Sequence, residues 1–496
     1  MKPTSLAAAL LALALPTAAA QVHYHPDGRP WTQRANRGPD AEVDGWYYNL
    51  GITGIRVQLM EETLHHLLVK HVFQGSPAHG RVKVGDVLTG AGGRPFDTEH
   101  WNGYGMDVFG PAGPILEFAE ALEAAQGKRG KGRLTVTLER DGKEHEVGLK
   151  VGTRYGAYGK RFPEDCPKSD RILDELLEYL VDQQRDDGSW GSPPHNTFAP
   201  LALLANGKRY RDEVERNVRF HAKTTSAVDE GSLINWRYMQ AAIVMSEYYL
   251  ATRDQWVVDE LQEVYDFLCS SQYTDLSQVN PRVKETHPGS YPKDAKRAHG
   301  GWGHNPGFEG YGPIAMITGQ GALAFALMHR CGVEIDRDRH DAAYAFLQRG
   351  AGRNGYVWYA DEVGGGQDDW ADMGRTGAAG IANFLSPYQG GDYRRDALAH
   401  ARVIGAHPES FPDTHGSPIM GMGYAALAAS VDGKSFRRLM DANRWWFTLA
   451  QCHDGTFYYQ PNRDNAGYGA DSRLSASAVT ALILSIPKRS LVMTGK

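Results

Sequence analysis

The sequence predicts a two-part protein, in which a small mixed β/α domain is followed by an all-α ring of helical hairpins. From about Gly45 to Val151, short β-like runs alternate with glycine turns, as in a small β-rich domain. From about Cys166 to Pro487, a helix, turn, helix pattern recurs six times at a period of about 40 to 80 residues. Six such hairpins favour a closed ring over an open solenoid.

Composition and charge narrow the class of protein. The 496 residues exceed a typical single domain, and 42% hydrophobic with 23% charged residues excludes disorder as the dominant state. The net charge of −6 does not indicate the basic surface that nucleic-acid binding requires, so we expect no nucleic-acid partner. The sequence contains four cysteines, too few for a disulfide scaffold, and their pairing stays open: Cys166, Cys269, Cys331 and Cys452.

Residues 1–20 have the order of a secretory signal peptide. Lys2 precedes an apolar run from Leu6 to Leu15, and the small residues Ala18 to Ala20 come before Gln21, which predicts cleavage after Ala20. A retained anchor is the alternative, but the run is short for a bilayer span. We therefore expect an exported protein, periplasmic or extracellular, with no membrane span and an N-terminal extension over residues 21–44.

The first domain, residues 45–151, is expected to contain strands at 55–60 and 68–73, a helix over Pro114–Ala125, and a closing hairpin. The helix follows from the spacing of its apolar residues. The hairpin consists of residues 134–138 and 147–149 around the Asp141-Gly142 turn.

Three motifs in this domain resemble a bacterial PDZ domain. They are Gly75-Ser76-Pro77-Ala78, then Val84-Gly85-Asp86-Val87-Leu88 with a Gly-Gly turn, and the loop Gly51-Ile52-Thr53-Gly54-Ile55. The resemblance implies that Thr53, Gly54 and Ile55 bind the C-terminal carboxylate of a peptide, which adds to the strand that follows. A PDZ-shaped spacer without a ligand is the alternative, and an insert around Trp101–Gly105 is placed to cover the groove.

The second domain is expected over residues 169–488, after a connector at 152–168 and before a tail at 489–496. Each repeat pairs an amphipathic outer helix with an alanine-rich inner helix, joined by a turn that is often rich in glycine and aromatic residues. The inner helices are expected at 198–205, 237–250, 313–328, 375–384, 418–429 and 473–486.

The turn of the first repeat, Gln184-Arg185-Asp186-Asp187-Gly188-Ser189-Trp190-Gly191, resembles the repeat motif of terpenoid cyclases and protein prenyltransferases. The resemblance implies an (α/α)6 toroid with the alanine-rich helices inside. The arrangement of both domains, ending in Asn462–Gly469, also looks like a secreted bacterial family of unassigned function. A shared fold does not carry a reaction with it.

Residues in the turns are expected to meet on one rim of such a ring. The inner helices begin there, so their N-termini favour an anionic or strongly polar ligand. Arg237, Arg375 and Arg473 take the same slot in the second, fourth and sixth repeats and are candidates to bind carboxylate or phosphate. The alternative is that they are structural partners of turn aspartates such as Asp372 and Asp471.

The rim residues best match the cleavage of an anionic glycan. Elimination beside a uronate carboxylate needs a Tyr or His for proton transfer and Asn or Arg to neutralise the carboxylate, and hydrolysis needs two carboxylates. The candidate catalytic residues are His304, Tyr311, His415 and Asp369. The candidate substrate-binding residues are Asn305, Arg237, Arg375, Arg473 and Asp471.

Other chemistries fit less well. The Asp368–Asp372 segment lacks the acidic spacing that terpene protonation needs, and the neighbouring Cys452 and His453 side chains point apart, against a zinc site. We therefore expect no metal and no cofactor. The predicted function is recognition or processing of an anionic polymer or glycan at the rim. A non-catalytic binding or scaffold protein is one alternative, and a terpenoid cyclase or prenyltransferase-like enzyme acting on a lipid is the other.

Overall fold

The computed structural model describes the backbone of residues 23–24 and 30–31, and residues 47–60, 62–100, 112–191, 195–225, 233–388, 391–412, 414, 418–458, 460 and 473–496. The predicted signal peptide, the insert around Trp101 and the Asn462–Gly469 segment lie outside these residues. No helix in the described part of the chain combines the length and apolarity that a membrane crossing requires.

The first unit is an antiparallel sheet with one helix packed on it. Short strands β1 (His23–Tyr24) and β2 (Pro30–Trp31) pair separately, and the main sheet has the order β3-β4-β5-β6-β8-β9, with β7 beside β6. Helix α1 (Pro114–Gln126) covers it through Phe118 and Leu122, both with no exposed surface. The strands are β3 (Tyr47–Asn49), β4 (Ile55–Leu59), β5 (Leu67–Val72), β6 (Val87–Ala91), β7 (Arg94–Pro95), β8 (Arg133–Arg140) and β9 (Lys143–Lys150).

Six inner helices form a closed ring. Each contacts the next, and the last returns to the first, so the ring expected from the repeats is confirmed as an α/α toroid. Their bounds match the expected segments to within three residues at either end. The inner helices are α3 (His195–Ala205), α5 (Ile234–Thr252), α8 (Ala315–Arg330), α10 (Gly374–Leu385), α12 (Pro418–Ala429) and α15 (Arg473–Ser485).

The outer helices bury one amphipathic face against this ring. The sixth was expected as one helix over 436–449, but it is broken in two at Asn443, whose side-chain amide donates to the Pro408 and Leu439 carbonyls. The outer helices are α2 (Pro167–Asp182), α4 (Arg211–Thr225), α6 (Trp256–Ser271), α9 (Arg337–Arg349), α11 (Gly391–Ala406), α13 (Gly433–Ala442) and α14 (Arg444–Ala450), while α7 (Val283–Thr286) lies in the insert of the third repeat.

Glycine lets neighbouring inner helices approach closely. A Cβ at Gly377 of α10 would lie 2.4 Å from the backbone nitrogen of Ala425 in α12. Because this clash is with the backbone, no side-chain rotation can relieve it. The same pattern recurs at Gly319, where a Cβ would meet Ala378 at 2.8 Å. These positions explain why the inner segments are rich in small residues.

We expect Gly377→Val to lower the free energy of unfolding by about 1–3 kcal/mol, because the added atoms push two backbones apart. Urea denaturation followed by circular dichroism measures this loss. Gly433→Val is the matched control, since no atom lies within 4 Å of a Cβ there. Equal stability of the two variants would contradict close packing between α10 and α12.

The turns of the first and third repeats brace adjacent helices. Trp190 and Trp302 are buried, and their indole N–H groups donate to the carbonyls of Leu180 (2.7 Å) and Leu268 (2.9 Å) in the preceding outer helix. The backbone N–H of Trp302 donates to the Thr318 hydroxyl in the following inner helix. Each turn is therefore fixed to both helices that it joins.

Two polar and aromatic contacts span the interior of the ring. The Tyr424 hydroxyl of α12 donates to the Gln320 Oε1 of α8 at 3.1 Å, past the intervening α10. The Tyr424 ring also lies 6.0 Å from the Phe198 ring of α3, past α15. These side chains therefore cross the interior of the ring at this level. The four cysteines are free thiols.

Candidate functional site

Three inner helices begin near one group of polar and aromatic side chains. Trp236 lies in the first turn of α5, Arg375 lies in the first turn of α10, and His304, Tyr311 and Tyr359 lie in the segments that lead into α8 and α10. We call these five residues the rim cluster. Their positions follow from the repeat, which returns each turn to the same end of the ring.

The hydrogen bonds of His304 determine its tautomer. The Trp236 indole N–H donates to His304 Nδ1 at 2.8 Å, and the two rings are stacked with centroids 5.9 Å apart. An indole nitrogen can only donate, so Nδ1 must accept, and the neutral imidazole carries its hydrogen on Nε2. That hydrogen is donated to the Tyr311 hydroxyl oxygen, 2.5 Å away.

His304 is neutral at neutral pH. Burial lowers its pKa below the usual histidine value, and the Glu309 carboxylate opposes this only in part. Burial and a hydrogen bond with the Tyr311 hydroxyl raise the pKa of Tyr359, so Tyr359 donates. The Tyr311 oxygen accepts from both His304 and Tyr359, which leaves its own hydrogen as a donor. The Tyr311 side chain is 43% exposed, and its ring lies 5.9 Å from that of Tyr359. The cluster therefore presents an oriented hydroxyl donor at the surface.

Arg375 supplies a buried positive charge on the other side of the Tyr359 ring from this hydroxyl donor. It is 7% exposed, forms an ion pair with Asp372 at 3.0 Å, and donates to the Tyr356 hydroxyl at 2.7 Å. Burial opposes its charge, but Asp372, Tyr356 and Tyr359 together outweigh burial and raise the pKa of the guanidinium. Its Nε–H has no acceptor among the described residues. The guanidinium carbon lies 5.4 Å from the centre of the Tyr359 ring, which links it to Tyr311.

The backbone at the start of α5 is strained beside the cluster. Leu233 has φ of 62° and is 51% exposed, which is unfavourable for a branched, apolar residue. The next backbone N–H, of Ile234, donates to Asn305 Oδ1 at 3.2 Å, and Asn305 Nδ2 donates to Glu309 at 2.7 Å. Asn305 thus ties the His304 loop to α5. Strain of this kind concentrates at functional sites.

The remaining predicted residues occupy other surroundings. Asp369 is exposed and accepts from the Gly366 N–H at 2.6 Å within its own loop. Arg473 forms an ion pair with Asp454 at 3.2 Å in the sixth turn, and Arg237 lies with its guanidinium 5.7 Å from the Tyr238 ring. His415 and Asp471 lie outside the described residues.

The structure therefore brings His304, Asn305 and Tyr311 together and joins Arg375 to them through Tyr359. It also pairs Arg375 with Asp372, as the structural alternative expected. The sequence reasoning missed Trp236, whose indole sets the His304 tautomer. Its position directly before the Arg237 slot, at the start of an inner helix, was the available signal.

No group of three or more His, Cys, Asp or Glu side chains within the described ranges is arranged to hold a metal ion.

The ring of helices and the rim cluster define an α/α-toroid protein with a polar and aromatic cluster where the inner helices begin. It belongs to the family DUF6288, described as a domain of unknown function, whose family model matches residues 169–495. No curated protein matches the chain.

Solved structures with a similar chain path include three enzymes. The GH76A α-1,6-mannanase of Salegentibacter sp. HEL1_6 is 13% identical with a TM-score of 0.45, covering 64% of this chain and 99% of its own. A polysaccharide lyase is 11% identical with a TM-score of 0.43, covering 65% and 97%. A D-mannose isomerase is 11% identical with a TM-score of 0.41, covering 64% and 96%. At these values, no residue role is transferred from them.

Proposed function

We propose that this protein recognises or processes an anionic polymer or glycan at the rim cluster. The observation that carries the proposal is the neutral His304 bonded to an exposed Tyr311, which the Tyr359 ring links to a buried charged Arg375 with an unused Nε–H donor. An uncharged sugar would leave that donor without a charged acceptor. A uronate carboxylate, by contrast, would form a charge-assisted hydrogen bond with it, but only after the guanidinium is uncovered, because this Nε atom is buried.

The aromatic side chains suit a sugar ring. Tyr311 and Tyr359 form a pair of rings between the His304 and Arg375 groups. Sugar-binding sites combine an apolar face with a few placed polar groups, and this arrangement supplies both. Trp190 and Trp302 do not contribute, because they are buried as braces.

Processing would use Tyr311 as the group that transfers a proton. In an elimination, the Tyr311 oxygen, acting as the phenolate bonded by His304 Nε2–H, takes the proton beside the uronate carboxylate, the bond to the leaving glycosidic oxygen breaks, and that oxygen takes the same proton back from Tyr311. The Tyr311 hydroxyl can supply this proton, after which the His304 Nε2–H bonds the phenolate oxygen. Arg375 would hold the carboxylate whose charge grows during proton removal.

Two further parts of the proposal rest on the sequence. Residues 1–20 support export with cleavage near Ala20, and the PDZ-like motifs support a peptide at Thr53, Gly54 and Ile55. In the structure these three residues are buried, so a peptide would reach them only by displacing what covers them. A non-catalytic binding protein is the second candidate, because Arg375 would serve binding without turnover.

We expect Tyr311→Phe to lower turnover at least about 100-fold while changing ligand affinity little, because the hydroxyl acts mainly in proton transfer. The assay follows the ultraviolet absorbance of unsaturated uronates and the formation of reducing ends, with uronic-acid oligosaccharides as substrate. Tyr291→Phe, in the same insert, is the matched control. A binding protein gives no turnover in parent or variant, while unchanged turnover in Tyr311→Phe would remove Tyr311 from the chemistry.

Arg375→Lys tests the ligand's charge. We expect it to weaken binding of uronic-acid oligosaccharides at least about tenfold, since lysine lacks the planar fork and the Nε–H. Binding is measured by calorimetry, with neutral oligosaccharides of the same length for comparison. Arg353→Lys, an exposed arginine in the same repeat paired with Asp368, is the control. Equal affinity of parent and Arg375→Lys for the anionic oligosaccharides would contradict an anion site at Arg375.

A further inference from the structure

The loop at residues 51–54 lies against helix α1 in the first unit, and we call the seam between them the cleft. In the sequence prediction, this loop and the β4 strand would accept a peptide. Within the described residues, however, β4 is paired on both edges, with β5 on one side and β3 on the other. β3 runs antiparallel to β4, with Asn49 opposite Arg56, and it leads directly into the loop. It therefore occupies the edge that an added peptide strand would need.

Helix α14 of the toroid closes the cleft from the other side. Gly51 has φ of 67°, and a Cβ there would lie 2.7 Å from both Leu122 of α1 and the Thr448 carbonyl of α14. The loop, α1 and α14 thus meet with no space for even a methyl group. The contact requires glycine both for its φ and for this approach.

A side chain of the toroid completes the hydrogen bonding of β3. Gln460 accepts from the Asn49 backbone N–H at 3.0 Å and donates to the Asn49 carbonyl at 3.0 Å, as a neighbouring strand would. The Asn49 side-chain amide donates to the Leu449 carbonyl at the end of α14. Asn49 and Gln460 are 0% and 1% exposed, so these bonds are shielded from water.

A buried arginine adds a second contact between the units. The guanidinium of Arg56, in β4, lies 3.7 Å from the centre of the Tyr458 ring in the sixth turn and 5.6 Å from the Phe73 ring in β5. Arg56 is fully buried and Tyr458 is 2% exposed. A cation stacked on an aromatic ring away from water is at the strong end of this interaction.

The sixth turn is therefore held by the first unit at Tyr458 and Gln460. The same turn contains Asp454, the ion-pair partner of Arg473 at the start of α15. We propose that the occupant of this cleft is the toroid of the same chain, and that the docking fixes the sixth turn and, through Asp454, the Arg473 guanidinium. An external peptide and the docked toroid would exclude each other.

Hydrogen exchange on the full-length protein tests this inference. We expect Gln460→Ala to speed amide exchange at least tenfold in both residues 47–59 and residues 444–458, because one contact holds both segments. Gln348→Ala, an exposed glutamine on α9, should change neither. Faster exchange confined to one of the two segments would overturn the proposal.

A second variant and a binding measurement keep the test decisive. Arg56→Lys retains the charge but loses the planar stack on Tyr458, and we expect it to speed exchange of the same two segments. A pool of fluorescent peptides with free C-terminal carboxylates should bind neither the parent nor Gln460→Ala tightly, because β3 still occupies the β4 edge in both. Tight binding to the parent without faster exchange at 444–458 would show that the cleft is open to peptides and would refute the docked state.

Discussion

Asp372→Ala is expected to lower the free energy of unfolding by about 3–5 kcal/mol, because it leaves the buried Arg375 charge without its partner. The Arg375 and Asp372 side chains are only 9% and 3% exposed, so water cannot replace the lost carboxylate. The position adds to the cost, since Arg375 lies in the first turn of α10, where the helix dipole disfavours a cation. Urea denaturation of the parent and the variant measures the difference.

Asp368→Ala is the control in the same loop. Asp368 also pairs with an arginine, Arg353, but both side chains are more than 60% exposed, so we expect a loss below about 1 kcal/mol. The double variant Asp372→Ala with Arg375→Met should recover most of the stability, because no charge stays buried. If Asp372→Ala costs no more than Asp368→Ala, the Arg375 charge is not buried as described.

The ring was predictable because each hairpin carries a local signal. Alanine-rich segments, amphipathic segments and glycine-aromatic turns repeat along the chain, and six copies point to closure. The break at Asn443 was not predictable, because Asn443 is held there partly by a hydrogen bond to the Pro408 carbonyl, which is distant in sequence. In the same way, nothing local indicated that β3 would pair with β4.

The site was predictable only as a set of residue types on one rim. The repeat placed His304, Asn305 and Tyr311 in one loop and Arg375 at the start of an inner helix. Sequence could not tell that Trp236 would fix the His304 tautomer, since this depends on a 2.8 Å contact between two repeats. Nor could it separate a ligand-binding arginine from a structural one, and Arg375 has features of both.

The far end of the ring carries a pH-dependent contact. Glu247, near the end of α5, is 2% exposed, and its two carboxylate oxygens accept the backbone N–H groups of Val492 (2.9 Å) and Met493 (2.8 Å). Burial raises its pKa to about 7, and the two N–H groups, with Lys496 and Arg330 farther away, oppose the rise only in part. The folded protein therefore binds a proton that the unfolded chain, with an ordinary glutamate, releases near pH 4.5.

The free energy of unfolding should accordingly fall by about 3 kcal/mol as the pH rises from about 4.5 to about 7, and then stay level with respect to this group. The sign follows because the folded state holds more protons than the unfolded state across that interval. Urea denaturation at several pH values measures the slope.

Glu247→Gln cannot titrate, so it should flatten this part of the profile, even if the loss of an acceptor for one tail N–H lowers its overall stability. Glu215→Gln, in a more exposed ion pair on α4, should keep the parent's slope, because Glu247 still titrates in that variant. A parent profile that is flat between pH 4.5 and 7, or a Glu247→Gln profile with the parent's slope, would mean that the tail is held without a titrating carboxylate.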